Sequence, residues 1–283
     1  MKFIIQISLL LVAIIHQIFS TGIKNKILFS KKKKCNTSSG MMTFDEKKLI
    51  LLTHNRLRNQ IATQSNSLGP KLPYATNMIQ MYYSDSIGSV AQKWADKCVF
   101  KHSSPTERKQ PQFPTGENIF RTKFIGGNPI KNWQNAIENW FKEIKEFGGK
   151  SVISYDPKGA VTGHFTQLIW AYRYLLFFKL FSYFIGCGFS SFSESPKEVS
   201  HVYVCQYGPI GNVEGFPIYK ASLTPGCDCP EGMGCNNVSF SGLCCPSGHC
   251  NHNSVEYYGE PFLGTNPDVE IKPKTTSINI SIG

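Results

Sequence analysis

The sequence predicts an α+β fold, with one domain of about 180 residues followed by a small disulfide-rich module. Three observations lead to this prediction. Before residue 150, apolar side chains recur at helical spacing in three segments. Short β-rich runs bounded by glycine and proline follow between residues 163 and 209. Six of the ten cysteines then fall within residues 227–250, a density typical of a disulfide-stapled module.

The first helix is predicted over residues 44–62. Thr43 and Glu46 have the spacing of a capping box, in which each side chain bonds the other residue's free backbone N–H. The stripe that follows at helical spacing consists of Ile50, His54, Leu57 and Ile61. Because the rest of this stripe is apolar, we interpret His54 as a packed core residue rather than a ligand.

Two further helices and two strands are predicted. The second helix covers residues 85–100 and ends before Pro105, because proline disfavours helix in the residue before it. The third helix begins at Asn128-Pro129, an N-cap followed by proline at the first helical position, and ends at Gly148-Gly149. Beyond it, GHFTQLIW (163–170) and HVYVCQYGP (201–209) are predicted to be strands.

The amino-terminal region is typical of a secreted protein. Residues 1–20 have a short cationic start, an apolar run and a small final residue, the pattern of a secretory signal peptide; an uncleaved signal anchor is the alternative. The net charge of +11 comes largely from residues 1–34, which contain seven lysines and no acidic residue. The remainder carries only +4, so we interpret residues 21–42 as a disordered basic leader and expect no nucleic-acid partner.

Three glycosylation sequons agree with secretion. Asn36, Asn237 and Asn279 each begin an N-x-S/T triplet, and such sites are modified only on the secretory route. The ten cysteines also favour an oxidising environment. We therefore expect a secreted, extracellular glycoprotein with no transmembrane segment in its mature chain.

Two histidines and two glutamates are candidates for a functional site. They are His102 after the second helix, Glu117 in Gly-Glu-Asn-Ile, Glu143 in the third helix and His164 at the head of a predicted strand. Two imidazoles and two carboxylates suit a borderline metal such as zinc, with the carboxylates either as direct ligands or as acceptors that fix the imidazole tautomer. A buried hydrogen-bonded network that organises the fold is the alternative.

Four motifs carry a resemblance to a known family. GHFTQLIW (163–170) resembles one signature of the CAP superfamily, which comprises cysteine-rich secretory proteins, venom allergen 5 and plant pathogenesis-related 1 proteins. VYVCQYGPIGNV (202–213) matches the second signature, and HNRLR (54–58) and GENI (116–119) resemble two shorter motifs. Residues 43–220 are thereby identified as a CAP domain, most similar to the venom allergen-like proteins of parasitic worms.

This resemblance implies a fold and a set of ligands. The fold is a three-layer α-β-α sandwich with a central groove. The groove tetrad falls on His102, Glu117, Glu143 and His164. Family members bind zinc or another divalent cation through the two histidines, without needing it to fold, and several bind sterols or fatty acids in separate apolar pockets.

Three functions follow as hypotheses. The first is a secreted binding protein for a sterol or other lipid, with a metal-capable groove. The second is an immunomodulatory interaction protein that engages a host or tissue receptor, the groove being vestigial. The third is a hydrolase, which is the least favoured because no serine or threonine lies in a recognisable nucleophile motif and the cysteines are expected to form disulfides.

The resemblance also bears on the cysteines. It implies that Cys187 and Cys205 pair across adjacent strands. The usual family partner position for Cys98 is occupied here by Gly208, and the even cysteine count suggests a pair with Cys35. Residues 221–250 resemble the hinge that follows the domain in cysteine-rich secretory proteins, and residues 251–283 are expected to be a disordered polar tail. The hinge cysteines, whose connectivity stays open, are Cys227, Cys229, Cys235, Cys244, Cys245 and Cys250.

The connection between Trp170 and Cys187 departs from the family, which the resemblance implies to have a short polar segment there. Residues 171–185 instead include seven aromatic side chains. The run is shorter than the ~20 residues that a bilayer requires and contains Arg173 and Lys179, so a transmembrane helix is not expected. We interpret part of it as translated intron, with an exposed apolar hairpin as the alternative; a transcript spanning the segment distinguishes them.

Overall fold

A five-stranded mixed sheet forms the centre of the structure. The computed structural model describes residues 42–127, 129–148, 152–158, 161–171, 183–235 and 239–246, together with the backbone of Cys35–Asn36. Along the sheet the order is β1 (Cys35–Asn36), β5 (Phe184–Ser195), β6 (Glu198–Gly208) and β4 (Gly116–Ile125), all antiparallel to their neighbours. A short strand, β3 (Tyr82–Tyr83), runs parallel to β5 at the same edge as β1.

Helices occupy both sides of this sheet. They are α1 (Phe44–Ala62), α2 (Asp85–Ala95), α3 (Pro105–Arg108), α4 (Trp133–Lys142), α5 (Ile144–Phe147) and α6 (Gly163–Leu168). Two small ribbons complete the described elements: β2 (Tyr74–Ala75) pairs with β7 (Ala221–Ser222), and β8 (Met233–Gly234) pairs with β9 (Cys245–Pro246). None of the helices that the structure describes is long and apolar enough to span a bilayer.

Each face of the sheet carries its own apolar layer. On one face, Ile119 and Val204 pack with Ala91 and Trp94 of α2. On the other face, Tyr203 and Tyr207 join a larger core to which α1, α4 and α6 all contribute. The predicted three-layer α-β-α sandwich is therefore confirmed, because one sheet buries two opposite faces under separate helical layers.

Glycine allows the closest of these contacts. A Cβ atom on Gly186 would lie 2.1 Å from the backbone nitrogen of Gly88, and one on Gly188 would lie 2.4 Å from Gln92. Both glycines are on β5, and both of their neighbours are on α2. Any side chain at either position would push the helix away from the sheet. The Gly-Cys-Gly sequence is thus explained by helix–sheet packing.

The helix predictions hold to different degrees. The first is confirmed with its capping box, because the helix spans Phe44–Ala62 and Thr43 and Glu46 bond each other's backbone N–H groups. The second is wrong at its end, since α2 stops at Ala95 and Cys98 takes a left-handed φ of 54° that no α-helix continues.

The third helix prediction is wrong at its start, although Asn128 itself lies outside the described residues. Helix α4 begins at Trp133, after an N-cap at Asn132 whose side chain accepts a hydrogen bond from the Asn135 N–H at 2.9 Å. The backbone N–H of Asn132 donates to the hydroxyl of Tyr203 on β6 at 2.9 Å. The first residue of this helix is thus preceded by a contact with a strand that is distant in sequence. No local sequence pattern reveals that contact.

The predicted strand at GHFTQLIW is also wrong, because Gly163–Leu168 form helix α6. Four consecutive residues from Phe165 to Leu168 are buried, two of them polar, so the order of polar and apolar residues does not show which side faces solvent. The carboxylate of Glu143 accepts hydrogen bonds from the backbone N–H groups of His164 and Phe165 at 3.0 and 3.1 Å. A side chain from elsewhere in the chain therefore caps this helix.

Disulfides join β5 to β6 and hold the C-terminal module. Cys187 bonds Cys205, directly opposite in the register of the two strands, and the module contains the bonds Cys227–Cys235 and Cys229–Cys244. Cys98 and Cys245 are also disulfide-bonded. The Cys35–Cys98 pair stays a prediction, to which the backbone register adds support. Cys35 lies opposite Phe192, and Phe192 packs in the same apolar cluster as Cys98.

Several sequence predictions fall outside the described residues. They concern the signal peptide and leader (1–34), Asn237, residues 172–182 of the aromatic connection, Cys250 and the tail (251–283). Of Asn36, only the backbone position in β1 is described. Both ends of the aromatic connection are anchored in the fold, because the N–H of Ala171 donates to the Ile218 carbonyl and that of Tyr183 to the Gly208 carbonyl.

Arg58 of α1 is a fully buried cation that joins three segments. Its guanidinium donates to the carbonyl of Ile79 through Nε and Nη2, at 3.1 and 2.8 Å, and through Nη1 to the carbonyls of Leu168 and Trp170, both at 2.9 Å. Burial lowers the pKa of this guanidinium to about 9, so it is still charged at neutral pH. One guanidinium therefore donates to three buried carbonyl groups.

We predict that Arg58→Met lowers the free energy of unfolding by about 3 kcal/mol or more, because three carbonyls lose their donors at about 1–3 kcal/mol each. Chemical denaturation measures this loss. The matched control is Arg56→Met, since Arg56 is 45% exposed and forms a surface ion pair with Glu138 at 2.9 Å. Its effect should stay below about 1 kcal/mol. Equal losses for the two variants would contradict the role assigned to Arg58.

Candidate functional site

His102 and Glu117 form the first half of the candidate site. His102 lies in the loop after α2, and Glu117 is the second residue of β4. The Nδ1 atom of His102 is 3.0 Å from Oε1 of Glu117. The imidazole is 59% exposed, whereas the carboxylate is only 1% exposed. The pair therefore consists of an accessible ring held on a buried anion.

The buried Glu117 carboxylate has three partners besides the imidazole. It accepts from the backbone N–H of Ser103 at 2.9 Å, from the Ser103 hydroxyl at 2.6 Å and from Nε2 of Gln206 at 3.1 Å. Burial raises the pKa of Glu117, but the hydrogen bonds from His102, Ser103 and Gln206 outweigh it and hold the pKa below its usual range. An ionised carboxylate only accepts hydrogen bonds, so the proton in the pair lies on Nδ1 of His102.

His164 and Glu143 form the second half. His164 is in the first turn of α6, and Glu143 lies between α4 and α5. The Nδ1 atom of His164 is 2.6 Å from Oε1 of Glu143, while Oε2 accepts the backbone N–H groups that begin α6. One carboxylate thus fixes the position of the helix and the orientation of the ring that it carries.

The two imidazoles face each other. Their ring centroids are 6.4 Å apart and their planes differ by 27°. The indole of Trp140, which is buried, lies 6.4 Å behind His164 at an interplanar angle of 22°. Because each Nδ1 is engaged by a carboxylate, each Nε2 keeps its lone pair for a ligand.

A second hydrogen-bonded chain supports His164 from the core. Asn118 donates through Nδ2 to the backbone carbonyl of His164 at 3.0 Å and to the hydroxyl of Tyr207 at 3.2 Å. The Tyr207 hydroxyl is 3.0 Å from Nε2 of His54, and Nδ1 of His54 is 2.8 Å from the Ile50 carbonyl. Since a carbonyl only accepts, Nδ1 of His54 carries the proton and Nε2 accepts from Tyr207.

The pKa shifts of His54 and Tyr207 agree with these proton positions. Burial, together with the charge of Arg58, lowers the pKa of His54 to about 4 against the opposing hydrogen bond to the Ile50 carbonyl. His54 is therefore neutral at physiological pH, in accordance with the interpretation of a packed core histidine. Burial also raises the pKa of Tyr207 far above its usual range, so its hydroxyl keeps its proton.

Hydroxyl and thiol groups close to the tetrad are already engaged. Ser103 donates its hydroxyl proton to Glu117. The Thr166 hydroxyl bonds to the Thr162 carbonyl at 3.1 Å and to Oδ1 of Asn212 at 2.8 Å. No cysteine that the structure describes is free. In the part of the chain that the structure describes, neither hydroxyl is hydrogen-bonded to the imidazole of His102 or His164.

The donor set fits a divalent metal in one specific way. Zinc takes neutral imidazole nitrogens, and its histidine ligands characteristically donate their other N–H to a carboxylate. His102 and His164 both have that arrangement. The one described group of three ligand atoms within 4.8 Å of one another lies elsewhere, at Cys227, Cys229 and Cys235, which are disulfide-bonded. In the tetrad, Glu117 and Glu143 bond the rings at Nδ1, so they would be partners of metal-binding rings rather than further ligands.

Several residues of the site were not predicted from the sequence. The missed residues are Ser103, Asn118, Trp140 and Gln206. Asn118 and Gln206 were missed although both lie inside the motifs quoted above. The register pairs Glu117 with Gln206 across β4 and β6, so a correct strand alignment would have placed the amide beside the carboxylate. Ser103 and Trp140 carried no comparable sequence signal.

Comparison with known proteins gives one consistent result. The family model described as CAP, the cysteine-rich secretory protein family, matches residues 51–207. Venom allergen 5 of Tityus serrulatus is 33% identical over 245 residues, covering 85% of this chain and 53% of that protein. Human cysteine-rich secretory protein 2 is 32% identical over 202 residues, covering 69% of this chain and 75% of that protein. The chain thus spans about half the length of the first relative and three quarters of the second.

Solved structures agree with the sequence relatives. The crystal structure of NaASP2 with Zn2+ superposes with a TM-score of 0.56 and 28% identity, covering 75% of this chain and all of that chain. The crystal structure of Na-ASP-1 also has a TM-score of 0.56, with 29% identity over 75% of this chain and 49% of that chain. The four tetrad residues all lie within the segment that the family model matches.

The buried His54 predicts a pH dependence of stability. Its pKa falls from 6.5 in the unfolded chain to about 4 in the folded protein. Between these values the unfolded state binds a proton that the folded state does not. Stability is therefore lost as the pH falls from 6.5 towards 4, by about 1.4 kcal/mol per pH unit from this group. Urea unfolding of the wild type and His54→Gln across this range should show a shallower slope for the variant. Identical slopes would contradict the prediction.

Proposed function

Because the chain belongs to the cysteine-rich secretory protein (CAP) family, we propose that it is a secreted binding protein whose groove binds zinc or another divalent cation. His102 and His164 would hold the ion through Nε2. Secretion is supported by its relatives, which are venom and secretory proteins by description, and by the signal-peptide pattern of residues 1–20.

The two carboxylate-bound imidazoles carry the metal proposal. Both rings are locked at Nδ1, at 3.0 Å for His102 and 2.6 Å for His164, and they face each other across 6.4 Å. Such pairs raise the basicity of the coordinating nitrogen and fix its tautomer before any metal arrives. The zinc named with the NaASP2 structure is that protein's, and it makes zinc the first ion to test here. A bound cation would supply a Lewis-acidic centre for an anionic or carbonyl group of a ligand.

We predict that calorimetric titration with zinc detects one binding site in the groove. The His102→Ala/His164→Ala variant should lose this site while its circular dichroism spectrum stays unchanged. The single variants Glu117→Gln and Glu143→Gln keep both imidazoles but remove the anionic partner, so each should weaken zinc binding by about 10–100-fold.

The matched control for that titration is His201→Gln. His201 is a buried histidine that contacts the rings of Phe124 and Phe189, each at a centroid distance of 5.0 Å. It is not part of the tetrad, so zinc affinity should be unchanged in this variant. Zinc binding that survives the double alanine variant would overturn the metal proposal.

A sterol or fatty acid is the proposed second ligand, and its support is the family resemblance alone. We predict that lipid co-purifies with the protein from a eukaryotic secretory host, where solvent extraction and mass spectrometry identify it. The lipid should remain in His102→Ala/His164→Ala, because the family's lipid pockets are separate from the tetrad. Protein that contains no lipid and does not bind added cholesterol or palmitate would refute this part while leaving the metal proposal standing.

Receptor binding is the second candidate function, and one observation favours it. Ile125, the last residue of β4, and Ile130, in the connection to α4, are 89% and 86% exposed. Two exposed large apolar side chains five residues apart are suited to a partner protein. Ile125→Asp/Ile130→Asp should then reduce binding to cells of the host tissue while zinc binding persists. We assign no hydrolytic step, because the hydroxyls of Ser103 and Thr166 are bonded to Glu117 and Asn212 and not to an imidazole of the tetrad.

A further inference from the structure

The C-terminal module brings two disulfides into contact with each other. Sγ of Cys227 lies 3.0 Å from Sγ of Cys229, and Sγ of Cys235 lies 3.6 Å from the same atom. Cys227 and Cys235 form one bond, and Cys229 forms the other with Cys244. Both sulfurs of the first disulfide therefore lie against a single sulfur of the second.

The two disulfides differ in their access to solvent. Cys227 and Cys235 are exposed, Cys229 is half-buried and Cys244 is 1% exposed. A dissolved thiolate can therefore attack the first bond directly, whereas the Cys244 end of the second bond is shielded. The Cys187–Cys205 bond is buried at both ends, at 2% and 0% exposure, so it is shielded as well.

Hydrogen bonds hold the backbone between the two contacting cysteines in place. The backbone N–H of Asp228, between Cys227 and Cys229, donates to the Thr76 carbonyl at 2.7 Å, and the Asp228 carboxylate pairs with Lys220. These contacts do not depend on the Cys227–Cys235 bond. The Cys227 sulfur would therefore stay beside Cys229 after its own disulfide is reduced.

We propose that this cluster is a thiol–disulfide exchange site for a dithiol reductant. One dithiol thiolate attacks Cys235, the Cys227–Cys235 bond breaks, and Cys227 leaves as a thiolate. The second dithiol sulfur then attacks the mixed disulfide, so that Cys235 leaves as a thiolate and takes a proton, and the dithiol departs as its own disulfide. Two electrons have passed to the protein.

The second step breaks the shielded Cys229–Cys244 bond. The Cys227 thiolate attacks Cys229, a Cys227–Cys229 bond forms, and the Cys229–Cys244 bond breaks. Cys244 leaves as a thiolate and takes a proton. The two-electron-reduced protein therefore has thiols at Cys235 and Cys244 and a new disulfide between Cys227 and Cys229.

This exchange would remove one covalent link between the exposed part of the module and the core. The N–H of Cys244 donates to the Met78 carbonyl at 2.8 Å, and its carbonyl accepts from the Gln80 N–H at 2.9 Å. The carbonyl between these two residues, that of Ile79, accepts the guanidinium of Arg58. The Cys229–Cys244 bond thus connects the exposed part of the module to a segment anchored in the domain.

The test treats the full chain with one equivalent of dithiothreitol, followed by rapid alkylation and peptide mapping by mass spectrometry. In the singly reduced fraction, the label should lie on Cys235 and Cys244, with a peptide linked through Cys227 and Cys229. Label on Cys227 and Cys235 with Cys229–Cys244 intact would overturn the exchange. Equally rapid labelling of Cys187 and Cys205 would overturn the selectivity.

The matched control is Cys227→Ser/Cys235→Ser, which removes the attacking sulfurs and keeps the shielded bond. Cys244 should then be alkylated at least about tenfold more slowly than in the wild type, because the internal thiolate is missing. An unchanged rate would show that reductant reaches Cys229–Cys244 directly. The reciprocal Cys229→Ser/Cys244→Ser should retain rapid labelling of Cys227 and Cys235, and slow labelling there would refute the exposed bond as the point of attack.

Discussion

The guanidinium of Arg58 is the interaction on which both functional regions depend. It reaches from α1 to the Ile79 carbonyl on one side and to the Leu168 and Trp170 carbonyls on the other. Ile79 lies in the segment that hydrogen-bonds Cys244, and Leu168 ends the helix that carries His164. A single buried cation thus positions the groove and the attachment of the cysteine-rich module. No carboxylate among the described residues pairs with it, so its burial costs solvation free energy, which four hydrogen bonds to carbonyls offset.

Two consecutive residues of β4 support the two histidines of the tetrad from opposite faces of the sheet. Glu117 and Asn118 are adjacent, so their side chains point to opposite faces. Glu117 holds the ring of His102, and Asn118 holds the backbone of His164 and the hydroxyl of Tyr207. The Gly-Glu-Asn-Ile motif therefore supports both halves of the site with consecutive residues. A Cβ on Gly116 would lie 2.0 Å from the side chain of Gln167, so a larger residue at this position would displace that amide.

The sequence predicted those features whose cause is local. The capping box of Thr43 and Glu46 and the apolar stripe of α1 need only residues of the same helix, and both were found. Helix α6 was mistaken for a strand because its cap, Glu143, lies about twenty residues earlier in the chain. The tetrad residues were proposed from their positions in the sequence and from the family resemblance, whereas Ser103 and Gln206 became visible only in the folded structure. The pairing of Cys229 with Cys244 likewise depends on tertiary contacts that composition does not encode.

The exposure of His102 bears on whether the tetrad is only a structural network. Such a network gains stability by burying its members, as Glu117 and His54 are buried. His102 is 59% exposed, and without it the Glu117 carboxylate would still accept three hydrogen bonds from Ser103 and Gln206. The fold therefore has little need of an imidazole there. A structural role accounts for Glu143 and for the placement of His164, but not for an exposed ring held facing it at 6.4 Å. The ligand-binding hypothesis explains that ring.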